Sequence, residues 1–347
     1  MRALRPLSDS VLEAIGNTPL VRLNRIPQSV GLKDVEILVK MESLNPSGSL
    51  KDRIYREMIT KAEETGELRE GMEILEVSTG NAGIACSFVG TVLGYRVTVV
   101  MPEGVSVERR ELIRAYGGNV LLTPGGESDV DISMEKVRSM MAANPGKYWF
   151  PNQFENPNNP RAHYRTTGPE IWEQTGGKID AFVMSYGSGG LISGVGRYLK
   201  ERDPKISVYA AEPSECPVIA EGRWGRHKIE GVGDGFIPKN LDMSLVDGVV
   251  MVSSEEAIEM ARRLVREEGI FCGISSGANV AAALKLAKAV PDLRRIVTVV
   301  CDSGDRYLST EVFGHHRELP VVEREVRLDQ YTLDQRSKHI SRLRIIR

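Results

Sequence analysis

The segment MEILEVSTGNAGIACSFVG (residues 72–90) decides the fold class, because a turn of small residues joins two different hydrophobic patterns. MEILEV (72–77) is the short apolar run of a buried strand, and NAGIACSFVG (81–90) opens a helix that Gly94 ends. We therefore expect a strand, a tight turn and a buried helix in succession.

The same succession recurs along the chain. Further strands are predicted at VEILVK (35–40), RVTVVMP (96–102), NVLLTPG (119–125), DAFVMSY (180–186), ISVYAAEP (206–213), VDGVVMVS (246–253) and RIVTVVCD (295–302). Helices are predicted at 51–66, closed by Gly66, at 106–118 with Ser106 as N-cap, and at 254–269. Apolar strands that alternate with helices are typical of parallel sheets covered on both faces, so the predicted fold class is α/β. Ligands of such sheets bind outside the carboxyl ends of the strands.

Composition narrows the function classes. The chain has 347 residues, enough for two domains or one large unit with a nested insertion, and 41% of them are apolar. A net charge of −2 gives no reason to expect nucleic acid or a membrane surface as partner. No signal peptide or spanning segment is recognisable, so we expect a cytoplasmic protein. The cysteines lie far apart and are expected to be free thiols; they are Cys86, Cys216, Cys272 and Cys301.

No metal site is expected, because the cysteines and histidines lack the spacing of metal ligands. His315 and His316 are adjacent and could bind a metal, but we interpret them as part of a polar tail that begins after residue 313. We expect this tail to be solvated or to pack in an oligomer.

Three glycine-rich turns follow predicted strands or begin helices. STGNAG (78–83) offers backbone N–H groups at a helix start, which suits a carboxylate, although an ordinary strand-to-helix turn would look the same. GSGGLISG (187–194) forms a set of backbone donors suited to a phosphate. GISSGAN (273–279) offers two hydroxyls, from Ser275 and Ser276, either of which could also cap a helix.

The second turn must also be compared with the dinucleotide fingerprint G-x-G-x-x-G. Gly187 and Gly189 match it, and Glu212 occupies the place of a ribose-binding acid. However, Ile192 stands where the third glycine belongs. A phosphate site without a dinucleotide is therefore favoured.

Lys51 lies in NPSGSLKDR (45–53), between turn-forming residues and a predicted helix. Taken alone, it would be interpreted as an exposed lysine in the first turn of that helix. At a helix start the dipole disfavours the protonated amine and lowers its pKa, which is what imine formation with an aldehyde requires. A phosphate site, an aldehyde and a ring that needs a hydroxyl together describe pyridoxal phosphate.

The chain resembles the fold-type II pyridoxal-phosphate enzymes of the cysteine synthase (O-acetylserine sulfhydrylase) and cystathionine β-synthase group over residues 7 to 313. The resemblance lies in IGNTPLVRL (15–23), NPSGSLKDR, STGNAG, NQFENPNNPRAHYRTTGPEIW (152–172), GSGGLISG, EGVGDGFIPKNLD (230–242), GISSGAN and DSGDRYLST (302–310). It implies two doubly wound parallel-sheet domains of the tryptophan synthase β-like type. Residues 1–45 with 156–313 would form the larger domain, 46–155 a smaller mobile domain and 314–347 a C-terminal tail.

The resemblance also implies the site residues. Lys51 would bond covalently to the cofactor and later move the α-proton, Asn81 would bind the ring oxygen, and Ser275 would face the ring nitrogen. The phosphate would be held by Gly187, Ser188, Gly189, Gly190 and Leu191. The substrate would be bound by Ser78, Thr79, Gly80, Gln153 and Gly231.

Two motifs depart from the cysteine synthase pattern. The usual T-S-G-N-T loop has Thr79 in place of serine and Ala82 in place of the second threonine, which removes one hydroxyl. The usual G-T-G-G-T turn ends in Leu191, as in serine and threonine dehydratases. These changes leave the leaving group and the nucleophile open.

The expected function is β-replacement on an activated L-serine, with O-acetyl-L-serine and sulfide giving L-cysteine and acetate, in a homodimer. The alternatives are cystathionine β-synthase activity, or O-phosphoserine sulfhydrylase activity with Arg223 and Arg226 facing the phosphate. Further alternatives are a dehydratase, suggested by Leu191, and a non-catalytic protein that binds a partner's terminal carboxylate in the STGNAG cleft.

Overall fold

The computed structural model describes residues 7–126, 129–314 and 328–347 and contains two sheets. In spatial order, the larger sheet consists of β1 (Leu20–Arg22), β2 (Glu36–Met41), β10 (Arg295–Val300), β7 (Ala181–Ser185), β8 (Ser207–Pro213), β9 (Gly248–Val252) and β11 (Arg344–Ile346). Every neighbouring pair is parallel except β1 and β2, which are antiparallel. The predicted α/β class with parallel sheets is thus confirmed.

The smaller sheet lies in one stretch of the chain. In spatial order it consists of β5 (Asn119–Thr123), β4 (Arg96–Pro102), β3 (Glu73–Val77) and β6 (Tyr148–Trp149), all parallel. Because β3 to β6 are inserted between β2 and β7, the chain leaves the larger sheet and returns to it. The domain boundaries at residues 46 and 155 stay a prediction.

Helices cover both sheets and close the hydrophobic cores. They are α1 (Arg25–Ser29), α2 (Lys51–Thr65), α3 (Asn81–Val92), α4 (Val107–Ala115), α5 (Val130–Ala143), α6 (Asn158–Arg165), α7 (Thr167–Thr175), α8 (Gly190–Arg202), α9 (Val218–Glu221), α10 (Ser254–Arg263), α11 (Ile274–Ala289) and α12 (Gln330–His339). Helix α11 is buried along nearly its whole length against the larger sheet, and α2 and α3 bury apolar faces on the smaller one. Within the described ranges, no helix has the length and apolar character needed to cross a bilayer.

Local signals explain where several helices begin and end. Helix α2 ends at Gly66 as predicted, with a φ of +73° that glycine adopts without strain. Helix α10 begins with a capping box, in which Ser253 and Glu256 each bind the other's backbone N–H. Ser106 is the N-cap residue of α4 as predicted, but its side chain does not cap the helix, because its hydroxyl donates to the carbonyl oxygen of Arg306 at 2.9 Å.

The prediction of a solvated tail is wrong for residues 328–347. Strand β11 pairs in parallel with β9, Arg344 lying opposite Gly248, and α12 packs nearby, where the Thr332 hydroxyl accepts the N–H of Ile237 at 2.9 Å. The apolar run in this strand is only three residues long, and its partner lies almost one hundred positions earlier, so periodicity does not reveal it. His315 and His316 lie outside the described residues.

A buried ion cluster fixes the start of α2. The Arg53 guanidinium pairs with Glu42 at 2.7 Å and with Glu170 at 2.6 Å, and Lys40 also reaches Glu170 at 2.6 Å. Arg53, Glu42 and Lys40 are all at most 3% exposed. Arg53 holds the pKa of Glu42 at about 2, although burial alone would raise it. The cluster therefore joins α2 to the segment after β2 and to α7.

We predict that Glu42→Gln destabilises the protein at pH 7 by about 3–5 kcal/mol, because it leaves the Arg53 charge buried without its main partner. The folded pKa of Glu42 is depressed from 4.5 to about 2, so its contribution is present above pH 4.5 and is lost as the pH falls towards 2. Urea unfolding should show the difference between variant and wild type shrinking over that interval. Glu64→Gln, which removes an exposed pair with Lys61, should leave the midpoint unchanged. An equally stable Glu42→Gln protein would contradict the account.

Candidate active site

One cleft of about 950 Å³, counted out to its open mouth, lies where strands of both sheets end. The turn after β3 forms one wall, the turn after β7 forms another, and Cys301 follows β10 at its base. This is the carboxyl edge at which parallel sheets bind ligands. Of the thirteen predicted site residues, all but Gly190 line it: Lys51, Ser78, Thr79, Gly80, Asn81, Gln153, Gly187, Ser188, Gly189, Leu191, Gly231 and Ser275.

Lys51 is the first residue of α2, and its amine points into the cleft. Its Nζ lies 3.5 Å from the Ser188 hydroxyl oxygen, at the turn after β7. Burial lowers the pKa of this amine from its usual value, although Cys301 and Asp234 act in the opposite direction. A buried amine at a helix start loses its proton more readily, so Lys51 is suited to attack an aldehyde.

The turn at residues 187–190 exposes backbone rather than side chains. Gly189 has a φ of +78°, and a Cβ there would lie 2.7 Å from the backbone nitrogen of Leu241. A Cβ on Gly190 would lie 1.8 Å from Oδ1 of Asn159, so no side chain fits at either position. Gly190 does not line the cleft; it is the first residue of the thirteen-residue helix α8. Free N–H groups at a helix start are suited to a phosphate.

The STGNAG loop holds the start of α3. The Ser78 hydroxyl oxygen accepts the backbone N–H groups of Gly80 at 2.9 Å and Gly83 at 2.8 Å, so this side chain shapes the loop. Only its hydroxyl hydrogen remains for a ligand. A Cβ on Gly80 would lie 2.4 Å from Cδ of Arg109, which explains why the loop has no side chain there.

Asn81 and Ser275 both line the cleft. The Asn81 amide donates to Asp302 at 2.6 Å, and its oxygen is buried without a hydrogen-bond partner in the described part of the chain. Ser275 lies in the first turn of α11 beside Cys301, whose pKa burial raises to about 12. The alternative that Ser275 or Ser276 caps α11 is wrong, because Gly273 is the N-cap and the Ser276 hydroxyl accepts the N–H of Cys301 at 2.9 Å.

The chemical groups that line the cleft fit pyridoxal phosphate. The cleft contains a buried amine of lowered pKa, a turn in which no Cβ fits at Gly189 or Gly190, an amide nitrogen with one N–H beyond that given to Asp302, and a buried hydroxyl. An aldehyde, a phosphate and a heteroaromatic ring with polar atoms would each find a matching partner.

Several cleft residues were missed from the sequence, because they lie outside the glycine turns or give no local signal. Glu230 pairs with Arg109, whose guanidinium also stacks 4.8 Å from the centre of the Tyr307 ring. His163 is buried, which lowers its pKa to about 3, so it is neutral near pH 7. Asp234 lies three residues after the predicted Gly231, and its negative charge raises the pKa of Lys51. Of these residues, only Arg109 lies outside the segments that carry the resemblance.

Other sequence candidates lie outside the cleft. Glu212 is buried and accepts the Tyr186 hydroxyl and two backbone N–H groups at 2.9–3.0 Å, so its oxygens are used within the fold and not by a ribose. Neither Arg223 nor Arg226 lines the cleft, and Arg223 donates to carbonyl oxygens at the surface. Within the described residues, no three His, Cys, Asp or Glu side chains form a metal-binding group. The cysteines, all of them buried, are free.

Comparison with known proteins gives the family. The family model described as pyridoxal-phosphate dependent enzyme matches residues 11–302. Cysteine synthase A of Escherichia coli (strain K12) is 49% identical over 310 residues, which cover 86% of this chain and 94% of that protein. The structure is similar to that of cysteine synthase from Entamoeba histolytica, with a TM-score of 0.85, 37% identity and 98% of both chains covered.

A further structure is relevant to the alternative functions. O-acetylserine dependent cystathionine β-synthase from Helicobacter pylori has a TM-score of 0.83 and 35% identity, with 89% of this chain and 100% of that one covered. The predictions of family, fold type, cofactor and enzyme class are confirmed by these similarities together. The chain belongs to the family of pyridoxal-phosphate-dependent enzymes.

Proposed function

We propose that this protein catalyses β-replacement on O-acetyl-L-serine: sulfide takes the place of the acetate group, giving L-cysteine and acetate. The observation that carries the proposal is the Lys51 amine, held in the cleft 3.5 Å from Ser188 and facing the two glycine turns. The 49% identity to a cysteine synthase over most of both chains supports the same reaction.

Different residues of the cleft have different roles in the proposed reaction. The bound cofactor supplies an electron sink that stabilises negative charge at the substrate's α-carbon. Lys51 Nζ, deprotonated more easily because it is buried, takes the α-proton. The hydroxyl hydrogen of Ser78 and the Thr79 residue of the same loop would bind the substrate carboxylate, with Gln153 also lining the cleft. Ser275 offers a neutral hydroxyl to the ring nitrogen and does not force its protonation, which favours loss of a β-substituent over transamination.

Cystathionine β-synthase activity is the second candidate. It is supported by the similarity to the Helicobacter pylori protein. An O-phosphoserine substrate is less well supported, since Arg223 and Arg226 are not in the cleft. A dehydratase is suggested only by Leu191, whose side chain is 4% exposed and lies in the core.

We also propose a cytoplasmic homodimer that takes a small amino acid and sulfide as substrates. Buried free thiols are typical of a reducing compartment. The homodimer rests on the resemblance to cysteine synthases, and light scattering of the purified protein would test it.

We predict that Lys51→Ala lowers turnover at least about 10³-fold, because both the covalent attachment and the proton transfer are lost. Purified protein would be incubated with O-acetylserine, O-phosphoserine, serine and threonine in turn, with sulfide or homocysteine, and the product identified by mass spectrometry. Cysteine from O-acetylserine and sulfide is the expected result. Lys61→Ala, in the same helix but half-exposed and outside the cleft, should leave the rate unchanged.

The outcomes of this experiment separate the candidates. Cystathionine formed faster than cysteine would favour the second candidate, and pyruvate or 2-oxobutyrate without a nucleophile would favour a dehydratase. Protein that binds no pyridoxal phosphate and turns over none of these substrates would support a non-catalytic binding protein. An active Lys51→Ala protein would overturn the role of the lysine.

A second prediction concerns the Lys51 amine itself. In the protein freed of cofactor, Lys51 should titrate below the usual 10.5 of lysine, because burial disfavours its charged form. Reductive ¹³C-methylation followed by NMR at increasing pH would measure this, and Lys51→Arg would identify the signal. Asp234→Asn removes a negative charge that favours the ammonium, so it should lower the Lys51 pKa further. A Lys51 signal that titrates with the surface lysines would contradict a buried amine.

A further inference from the structure

Asp302 is a buried acidic residue for which the reaction described above has no use. It lies two residues after the carboxyl end of strand β10 in the larger sheet, and its side chain is 0% exposed. One carboxylate oxygen, Oδ2, accepts two hydrogen bonds, from the Asn81 amide and from the Tyr307 hydroxyl, each at 2.6 Å. The other oxygen, Oδ1, has no hydrogen-bond partner in the described part of the chain.

This arrangement is costly unless it serves a purpose. A buried carboxylate loses its hydration, and neither of the two groups that donate to Asp302 is a cation. The side chain is also tightly confined, since a Cβ on Gly273 would lie 2.5 Å from Asp302 Oδ1 and 2.3 Å from the Tyr307 ring. Asp302 therefore has little freedom to turn away from Asn81.

The chemistry of the pair fixes the orientation of the Asn81 amide. Asp302 Oδ2 accepts hydrogen bonds from both Asn81 and Tyr307, so the Asn81 atom that faces it is the donating nitrogen, Nδ2. That nitrogen carries a second N–H. If the amide turned by 180°, its oxygen would face Asp302 and the nitrogen would point away, which the carboxylate disfavours electrostatically.

We propose that Asp302 is a positioning residue that orients Asn81, so that the second N–H of its amide is held ready for the ring oxygen of pyridoxal phosphate. The inference rests on the proposed function, since it assumes that this cofactor occupies the cleft. Asp302 touches neither substrate nor reacting atoms and acts through Asn81.

Tyr307 connects Asp302 with the STGNAG loop, which is proposed to bind the substrate carboxylate. Its hydroxyl holds Asp302, and its ring lies beneath the guanidinium of Arg109, which donates to the carbonyl oxygen of Thr79 at 3.2 Å and pairs with Glu230. The orientation of Asn81 is thus connected to the loop two residues before it. The series Asn81, Asp302, Tyr307, Arg109 and Thr79 therefore links segments that follow strands of both sheets.

The test uses Asp302→Asn, which keeps the volume but allows the Asn81 amide to take either orientation. We expect the variant's apoprotein to bind pyridoxal phosphate about tenfold more weakly. A hydrogen bond to an ionised ring oxygen favours the ionised form, so its loss should raise the pH at which the absorption spectrum of the bound cofactor changes. Asp305→Asn, an exposed change nearby, should behave as wild type in both measurements.

A double-mutant cycle separates positioning from a merely structural role. In an Asn81→Ala background there is no amide to orient, so adding Asp302→Asn should weaken cofactor binding by less than about threefold more. A spectrum and an affinity unchanged by Asp302→Asn, or an undiminished tenfold effect in the Asn81→Ala background, would overturn the inference. If Asp302→Asn fails to unfold cooperatively, Tyr307→Phe removes one of the two donors with little loss of volume, and the same cycle applies.

Failure of this inference is distinguishable from failure of the proposed function. A wild-type protein that binds pyridoxal phosphate and makes cysteine, with an indifferent Asp302→Asn variant, overturns only the role of Asp302. A wild-type protein that does not bind the cofactor overturns both.

Discussion

The buried ion cluster around Arg53 is the constraint on which the site depends. Arg53 lies on the first turn of α2, two residues after Lys51, and its guanidinium is held by Glu42 and Glu170 from two other parts of the chain. The buried Arg53 guanidinium has lost its hydration, and the two carboxylates compensate for this only when the ion pairs keep a nearly fixed geometry. The first turn of the helix is therefore fixed as well. Asp52 reinforces it by accepting the N–H of Ser47 at 2.7 Å. The direction of the Lys51 amine follows from this anchoring.

The topology then brings the predicted cofactor-binding groups to the amine. In a parallel sheet every strand ends at the same edge, and here two such edges face one cleft. The turn after β3 and the turn after β7 each begin a helix, and both line this cleft. A cofactor with a phosphate and an aldehyde can therefore bind beside a substrate carboxylate in the same cleft.

Much of this arrangement could be predicted from the sequence, because it is local. Strand periodicity, Gly66 and the three glycine turns each act within about ten residues, and together with Lys51 they indicate both the fold class and the cofactor. Function beyond that came from the resemblance and the comparisons, since nothing in a glycine turn distinguishes acetate from phosphate as leaving group.

The rest depends on contacts between distant residues, which no local pattern encodes. Asp302 meets Asn81 across 221 positions, and the hydroxyl of Ser106, a good cap by composition, binds a carbonyl 200 positions away instead. Strand β11 similarly completes the larger sheet with a three-residue run. In each case tertiary packing decided between local options that the sequence left equally open.

The central claim is that Lys51 is the residue to which pyridoxal phosphate is attached. Reduction of the holoenzyme with borohydride, digestion and peptide mass spectrometry would measure this directly. The account predicts the reduced pyridoxyl adduct on the peptide containing Lys51 and on no other lysine. An adduct on a different lysine, or a cofactor bound without any adduct, would contradict it.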